Sequence, residues 1–409
     1  MSTCRCLNCI LPPHILRKLL DSKNAKLRQS ALNTLLGTAR LRGERSVRAA
    51  LFATVAPTNG RRTIFDARHN NDLSKAVMVR SEGAEPVKDG TVNRAYDGFG
   101  ATNDFYKKVF GRNSIDDRGM RLNGYVHRGI DFNNAFWDGQ GMVFGDGDGE
   151  MFTDFTLSLD VIAHELAHGV TEFTANLEYH NQSGALNESM SDVFGSLVKQ
   201  WSAKQTADKA DWLIGADVTT PTIKIDALRS LKAPGTAFDN DILGKDPQPD
   251  HMDNLVSLPD TEEGDSGGVH INSGIPNKAF FLVATALGGN AWEAAGHIWY
   301  DSLRSSNPKT QFQEFADTTV AQADKLFGTG SAQQHAVIEA WTEVGLKPTK
   351  IPSNVVVSAV RGTDSQGLAS LTKQIAALSD EIEELTREVT ALRSSKPPAR
   401  AAKRASRSK

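Results

Sequence analysis

A run of five residues, His164-Glu165-Leu166-Ala167-His168, combines side chains that can bind a metal ion with one that can move a proton. Residues i and i+4 of a helix lie on one face, so both imidazoles can reach a single ion. The carboxylate of Glu165 follows the first imidazole, where it is close enough to take a proton from a water molecule on the ion. The flanking residues are mostly apolar. That flank favours a buried zinc helix over a solvated helix with fortuitous histidines.

A third ligand is needed, because a catalytic zinc ion usually has three protein ligands and one open position. Further along the chain, Glu188 and Asp192 lie four residues apart in a helical stretch and therefore share a face. Glu188 can supply the third ligand. Asp192 can orient a zinc-bound imidazole, as carboxylates often do.

Two other classes of function stay open at this point. A structural zinc site usually has four protein ligands, and the candidates for a fourth are Cys4, Cys6 and Cys9. One of these thiolates could instead occupy the open position of a catalytic zinc ion, or the cysteines could simply support the fold. A binding module that assembles through its C-terminus would not need Glu165.

The composition describes a soluble globular chain. Of 409 residues, 39% are apolar and 23% are charged, with a net charge of −3, so we expect two or three domains and no nucleic-acid partner. No apolar run is long enough for a membrane span, and the first residues lack the apolar region of a signal peptide. We therefore expect no membrane partner, synthesis in the cytoplasm and, for any export, a non-classical route. All cysteines lie before residue 10, so core packing must hold the body together.

Hydrophobic periodicity divides the body into three regions. Within residues 1–50, residues 13–48 carry apolar residues at helical spacing among many Arg and Lys. Residues 51–157 contain short β-prone runs separated by Gly, Asn and Asp, with a helix predicted near residues 102–109. Residues 158–347 contain long helical stretches. The run GDGDG at 145–149 lacks the acidic spacing of an EF-hand, so we interpret it as a strand connection and not as a calcium loop.

The C-terminal part predicts a coiled coil. After a polar linker at 348–366, apolar residues within 367–394 alternate spacings of three and four, which is a heptad pattern. An amphipathic helix folded against its own lobe is the alternative. Residues 395–409 are rich in Lys, Arg and Ser and predict a disordered basic tail. We expect residues 367–394 to support a homo-oligomer.

At the level of whole motifs, the chain resembles the thermolysin-like zinc metallopeptidases. The motifs that carry the resemblance are HELAH and, with it, NNAFWDG at 133–139, GDGDG at 145–149, YHNQSGALNESMSD at 179–192 and DSGGVHINSGIPNK at 265–278. They cover about residues 60–347. The resemblance implies an α+β fold with a strand-rich N-terminal lobe, a helical C-terminal lobe and the zinc helix between them.

The resemblance also implies the roles of the reacting groups. It assigns zinc ligation to His164, His168 and Glu188, and proton transfer between water and the leaving amine to Glu165. The implied reaction is zinc-dependent hydrolysis of peptide bonds by a neutral endopeptidase.

The groups around the reaction centre follow from the same resemblance. Tyr179 and His270 match the family's donors to the oxyanion of the tetrahedral intermediate, and Asp265 matches the carboxylate that orients His270. Asn134 and the backbone of Ala135 match the positions that bind an extended peptide substrate.

The substrate pocket is implied in the same way. Arg229 matches the side chain that binds a substrate carbonyl. The apolar residues expected to line the pocket after the scissile bond are Phe152, Phe155, Val161, Ile214 and Leu228. The resemblance therefore predicts cleavage before bulky apolar residues.

One family feature is missing from the sequence. Many relatives bind calcium behind the zinc helix through several carboxylates, because a hard cation needs many oxygen ligands. Asp160 and Asp211 are present, but Lys199, Leu213 and Ala216 stand where further acids are expected. We expect no calcium near Asp160, and the Lys199 ammonium to replace the ion.

The N-terminus resembles one branch of the family. The run CILPPHIL at 9–16 is similar to the opening of the protealysin-like peptidases, which have a short propeptide and no signal peptide. This resemblance implies that residues 1–50 inhibit the cleft until self-cleavage near residues 45–60. The predicted protein is therefore a zymogen.

Overall fold

The fold is α+β, with strands concentrated in the first half of the chain and helices in the second. A computed structural model describes residues 8–51, 61–221, 223 and 225–349. The predicted coiled coil at 367–394 lies outside these residues. Within them, no helix has the length and apolar character needed to cross a membrane.

One mixed sheet organises the N-terminal lobe. The strands of the described residues are β1 (Asn8–Cys9), β2 (Arg62–Asp66), β3 (Val77–Ser81), β4 (Leu122–Val126), β5 (Ala135–Trp137), β6 (Gly141–Phe144), β7 (Leu213–Ile214), β8 (Arg229–Ser230), β9 (Asp239–Asn240) and β10 (Gly244–Lys245). The first six form a sheet in the order β1-β5-β6-β4-β2-β3. Strand β4 buries alternate residues, as expected for a sheet with one face on the core. The edge strand β1 comes from the N-terminal segment.

Helices form most of the second half. In chain order they are α1 (Pro13–Leu20), α2 (Ala25–Leu51), α3 (Gly90–Phe110), α4 (Leu159–Glu172), α5 (Asn181–Ala203), α6 (Asp265–Asn272), α7 (Gly274–Leu287), α8 (Ala294–Ser305), α9 (Phe312–Phe327) and α10 (Ala332–Glu343). The strand-rich and helical parts of the peptidase body agree with the sequence prediction.

Helix α3 differs from its predicted bounds, and helix α6 has an irregular first turn. Helix α3 begins at Gly90, well before residue 102, because Asp89 caps it by accepting hydrogen bonds from the backbone N–H groups of Thr91 and Val92. It ends where Gly111 adopts a left-handed conformation with φ of 68°. The first turn of α6 is interrupted by left-handed residues, among them Ser266, a conformation that helical periodicity does not reveal.

The two helices that carry the HELAH and ESMSD motifs pack side by side in the core. Helix α4 is buried over almost its whole length, and α5 is buried from Ser183 to Val198. Gly195 of α5 permits this close approach, since a Cβ atom there would lie 2.7 Å from the carbonyl oxygen of Asp160. A larger residue at this position would push apart the helices that hold the predicted zinc ligands.

The N-terminal segment packs on both lobes. Strand β1 pairs antiparallel with β5, with Cys9 opposite Phe136. Helix α1 follows at once, with Pro13 in its first turn, where a missing N–H costs no hydrogen bond. Its residues Ile15 and Leu16 are buried in the same apolar cluster as the peptidase core. The segment is therefore an integral layer of the folded chain.

Candidate active site

Three side chains from α4 and α5 converge in the interior. The Nε2 atoms of His164 and His168 are 3.0 Å apart, and carboxylate oxygens of Glu188 lie 3.6 Å and 3.4 Å from them, respectively. All three side chains are fully buried. The Oε2 atom of Glu188 has no hydrogen-bond partner, so a buried carboxylate oxygen and two imidazole nitrogens face a common point. Two nitrogens and one oxygen fit zinc.

Within the described part of the chain, no other group of three or more His, Cys, Asp or Glu side chains converges in this way. Among the described residues the set therefore has three protein ligands, the number found in catalytic zinc sites. Cys9 is a free, buried cysteine and does not belong to the group. Its sulfur lies 3.7 Å from the carbonyl oxygen of Leu11. Cys4 and Cys6 lie outside the described residues.

Each imidazole of the cluster has a partner on its other nitrogen. The Nδ1 atom of His164 lies 2.9 Å from Asp192 Oδ1, as the spacing predicts. The Nδ1 atom of His168 lies 2.8 Å from Asn187 Oδ1, a contact that the sequence analysis missed. Burial, and then the neighbouring His164, lower the pKa of His168, which keeps its imidazole neutral as a metal ligand requires.

Asp192 connects the ligand helix to the predicted substrate clamp. The Nε and Nη2 atoms of Arg229 each donate a hydrogen bond of 2.8 Å to its carboxylate. Asn277, which sequence reasoning also missed, donates to the same carboxylate at 2.9 Å. Burial alone would raise the pKa of Asp192, but the Arg229 guanidinium and His164 hold it well below its usual range. The ionised carboxylate thus positions a zinc ligand and an arginine together.

Glu165 lies beside the ligands without joining them. Its Oε2 atom accepts a hydrogen bond of 2.9 Å from the backbone N–H of Trp137, and its Oε1 atom is buried without a partner. Burial, and then Cys9 and Glu188, raise the pKa of the Glu165 carboxyl well above its usual value. A raised pKa suits a group that takes and returns a proton.

Tyr179 and His270 lie together beside Glu188 of the cluster. Their Oη and Nε2 atoms are 3.2 Å apart, and the Tyr179 hydroxyl also donates to Glu188. Asp265 lies 2.5 Å from His270 Nδ1 and accepts from its backbone N–H at 2.9 Å. Although burial disfavours the charged imidazole, Asp265 and Glu188 raise the pKa of His270 well above its usual value. Two polar donors therefore face the ligand cluster, as predicted.

The segment 8–11, called here the N-terminal strand because it begins with β1, makes the contacts predicted for a substrate. Its Cys9 carbonyl oxygen lies 2.9 Å from His270 Nε2. Its Ile10 carbonyl oxygen accepts a 2.9 Å hydrogen bond from Arg229, and the Ile10 N–H donates to the Ala135 carbonyl at 3.2 Å.

The next residue of the strand continues this pattern. The N–H of Leu11 donates a hydrogen bond of 3.1 Å to the side-chain oxygen of Asn134. The strand thus satisfies, residue by residue, the predicted substrate contacts of Asn134, Ala135 and Arg229. These residues are far apart in the chain, so the hydrophobic periodicity of the sequence could not predict that they meet.

The predicted pocket residues are fully or almost fully buried in one apolar cluster that also contains Ile10: Phe152, Phe155, Val161, Ile214 and Leu228. The rings of Phe152 and Phe155 are 5.9 Å apart between centroids. An apolar side chain following the reaction position would therefore enter an apolar environment.

Behind the zinc helix, an ammonium group lies between two carboxylates. Lys199 Nζ is 3.0 Å from a carboxylate oxygen of Asp160 and 2.9 Å from one of Asp211, and it donates to the Leu213 carbonyl at 3.3 Å. Burial opposes the charge, but the two carboxylates raise the pKa of Lys199 above its usual value. The ammonium occupies the space between the two acids, Asp160 and Asp211.

The carboxylates of the run at 145–149 already have protein donors. Asp146 lies 2.9 Å from His127 Nδ1, and Asp148 accepts hydrogen bonds from several backbone N–H groups. Gly145 is needed for close packing, because a Cβ atom there would lie 1.9 Å from the Phe132 carbonyl oxygen. The interpretation of this run as a strand connection agrees with these contacts.

Comparisons with known proteins agree with the fold and the site. Residues 56–172 match the family model for the thermolysin metallopeptidase catalytic domain, and residues 175–346 match the model for its alpha-helical domain. The chain is 46% identical over 340 residues to an extracellular metalloprotease of Pectobacterium carotovorum subsp. carotovorum, covering 83% of this chain and 96% of that protein. It is 45% identical over 345 residues to protease PrtS of Photorhabdus sp. (strain Az29), covering 83% and 92%.

A solved structure is similar as well. The precursor of protealysin, a metalloproteinase from Serratia proteamaculans, superposes with a TM-score of 0.74 at 48% identity, covering 83% of this chain and 99% of that one. The two-lobed fold and the His-His-Glu cluster together define a zinc metalloendopeptidase. The chain belongs to the thermolysin metallopeptidase family, and its similarities support the protealysin-like branch.

Proposed function

We propose that this chain is the zymogen of a zinc endopeptidase and that residues 1–50 are its propeptide. The observation that carries the proposal is the position of the N-terminal strand, whose Cys9–Ile10 peptide lies where a substrate would be cut. The precursor state of the similar protealysin structure supports the same interpretation. A segment held by the substrate contacts excludes other peptides from the cleft.

His164, His168 and Glu188 would hold the zinc ion. When bound, zinc polarises the scissile carbonyl and acidifies water. Glu165 takes the proton of the attacking water on its free Oε1 and passes it to the leaving amine, while the Trp137 N–H holds its other oxygen in place.

His270 and Tyr179 stabilise the charge that develops on the carbonyl oxygen. A protonated His270, held by Asp265, is a preorganised donor, and it already contacts the carbonyl of Cys9. Arg229 binds the carbonyl of the following residue, as it binds that of Ile10. Two hydrogen bonds to Asp192 fix the position of its guanidinium group.

The specificity of the enzyme follows from the pocket. A substrate that copies Ile10 places an apolar side chain in the buried apolar core that also contains Phe152, Phe155, Val161, Ile214 and Leu228. We therefore propose cleavage before bulky apolar residues, and a digest of a mixed peptide library with sequencing of the new N-termini tests this preference.

The mechanism is tested with the full-length chain and its Glu165→Gln variant, each loaded with zinc. Glu172→Gln is a matched control, since Glu172 lies on the same helix and accepts a hydrogen bond from the Trp137 side chain. We expect wild type and the control to lose an N-terminal fragment in intact-mass spectra and to cut casein, while Glu165→Gln stays whole and inert. Cleavage by Glu165→Gln would contradict the proposal.

The inhibitory role of the strand needs a separate experiment. Ile10→Asp places a carboxylate in an apolar, fully buried position, so we expect the strand to leave the cleft more often. Leu36→Asp, at an exposed apolar position of α2, is the control. We expect hydrolysis of a small fluorogenic peptide, before any processing, to rise roughly tenfold in Ile10→Asp alone. Equal leakage from both variants would contradict inhibition by the strand.

Two further proposals concern location and assembly. The relative named an extracellular metalloprotease supports action outside the cell, which fractionation of producing cells tests. The heptad pattern at 367–394 supports a homo-oligomer. Light scattering of the full chain and of a chain ending at residue 365 tests the oligomer, and equal masses per chain would contradict it.

A further inference from the structure

Helix α2 contacts the strand-rich lobe through a face of small and hydroxyl-bearing residues. The buried residues of this face are Leu27, Ser30, Ala31, Thr34, Thr38 and Leu41. Gly37 lies on it as well, and a Cβ atom there would be 2.6 Å from a guanidinium nitrogen of Arg128. The backbone of α2 therefore comes unusually near the lobe, and short polar side chains reach across.

Ser30 and Thr34 make these polar contacts. The Ser30 hydroxyl donates a 2.8 Å hydrogen bond to Asp148 Oδ2, and the side-chain amide of Asn133 donates to the Ser30 hydroxyl at 3.2 Å. The backbone N–H of Asn133 donates to the Thr34 hydroxyl at 2.9 Å. All four side chains are buried.

Hydrogen bonds from within the strand-rich lobe fix the position of the Asp148 carboxylate. Asp148 Oδ1 accepts backbone hydrogen bonds from Glu150, Met151 and Phe152 at 2.8–3.1 Å. Its Oδ2 accepts from the Asn133 side chain at 2.7 Å. Although burial opposes ionisation, the hydrogen bonds from Asn133, the backbone and Ser30 lower the pKa of Asp148. A fixed, ionised acceptor therefore faces α2.

We propose that Asn133 and Asp148 form a helix-docking surface that recognises hydroxyl groups at i and i+4, and that its partner is α2 of the propeptide. The reacting groups do not take part, so retention of the propeptide is separable from inhibition by the Cys9–Ile10 strand. Water can replace each of these hydrogen bonds when the helix leaves. The surface thus holds the cut propeptide on the enzyme and lets it dissociate without unfolding the lobe. This inference rests on the proposed function of residues 1–50.

Amide hydrogen exchange of the full-length Glu165→Gln chain tests the surface without interference from self-cleavage. Thr34→Val keeps the shape of the side chain but leaves the Asn133 N–H without its acceptor, and Ser30→Ala removes the bond to Asp148. Thr38→Val is the matched control, because the Thr38 hydroxyl donates to the Thr34 carbonyl within α2. We expect exchange in residues 25–41 to accelerate roughly tenfold or more in the first two variants and less than threefold in the control.

The exchange rate in α4 shows whether a variant unfolds globally. If exchange in Thr34→Val rises in α4 as well, the comparison with the control rests on Ser30→Ala, which removes less of the contact. Equal exchange in Thr34→Val, Ser30→Ala and Thr38→Val would overturn the inference.

In the active, zinc-loaded full chain, native and denaturing mass spectra separate chain cutting from propeptide release. We expect Thr34→Val to be cut at the normal rate and to release the fragment at least fivefold sooner. An unchanged interval between cutting and release would contradict retention by the surface. If wild type never cuts itself or casein, the proposed function fails, while the exchange experiment still reports on the docking surface.

Discussion

Two clusters of charged groups lie along the same pair of helices, and they meet the cost of burial in different ways. The first cluster brings the buried Glu188 carboxylate together with the imidazoles of His164 and His168, and the pKa of His168 is lowered. The second, Asp160 and Asp211, receives the ammonium of Lys199. Buried charge needs a partner in either case. The first cluster can recruit a reactive ion, whereas the second is a closed structural ion pair.

Among the changes that test the difference between the two clusters, removal of the zinc ion should have the largest effect on activity and stability. A zinc chelator should abolish casein cleavage and lower the melting temperature, because zinc stabilises only the folded state. Added zinc should restore both. A calcium-selective chelator is the control and should leave activity unchanged. Loss of activity with that reagent would contradict the division between the two clusters.

Replacement of the internal cation should have the next largest effect. Lys199→Met leaves Asp160 fully buried without its partner, so we expect the free energy of unfolding to fall by about 2 kcal/mol. Fully buried pairs lose more, but Asp211 is half exposed. Urea denaturation measures the change, with Lys209→Met at an exposed ion pair as the control. Equal small losses in both variants would show that Lys199 is not a structural cation.

Conversion of the second cluster into an ion site would sharpen the contrast. Lys199→Glu adds a third carboxylate beside Asp160, Asp211 and the Leu213 carbonyl, which are the oxygen ligands that calcium prefers. We expect the variant to melt earlier than wild type without calcium and to gain about 2 °C or more when calcium is added. Wild type should show no gain. A strong calcium-dependent rise in wild type would refute the replacement by Lys199.

A third cluster contains a cation that titrates. His127 lies between Asp146 and Asp89, which contact its Nδ1 and Nε2 at 2.9 Å and 2.8 Å. The hydrogen bond to Asp146 and, after it, the hydrogen bond to Asp89 raise the pKa of His127 to about 9, although partial burial opposes the charge. Because the folded pKa exceeds the unfolded value of about 6.5, the stabilisation is complete below about pH 6.5 and is lost as the pH rises through about 9.

The smallest effect is therefore expected for His127→Gln. The variant should lose about 1 kcal/mol or less of unfolding free energy at pH 6, and the difference from wild type should vanish above pH 9. Urea denaturation across pH 6–10 measures it. A difference that stays constant with pH would assign the loss to packing and not to charge.

The parts of the site that the sequence predicted are those encoded within one helix or one short motif. His164 and His168 share a face because of their spacing, and Glu188 and Asp192 do so for the same reason. The sequence also correctly predicted that Lys199 would face Asp160 and Asp211. That prediction depended on the family resemblance, which implies an acid at position 199. The role of Asn187 could have been inferred from its place beside Glu188, since a metal-bound imidazole needs a partner on its other nitrogen.

What the sequence determined by itself is therefore local: the zinc-binding face of α4, the third ligand on α5, the division into a strand-rich and a helical part, and the family that these motifs identify. Only the tertiary structure decided which groups meet across long separations. It placed Asp192 against Arg229 and Asn277, and the Cys9–Ile10 peptide against His270. Helical and strand periodicity report which face of an element is buried, but they contain no information about what lies opposite. Those partners depend on how distant elements pack.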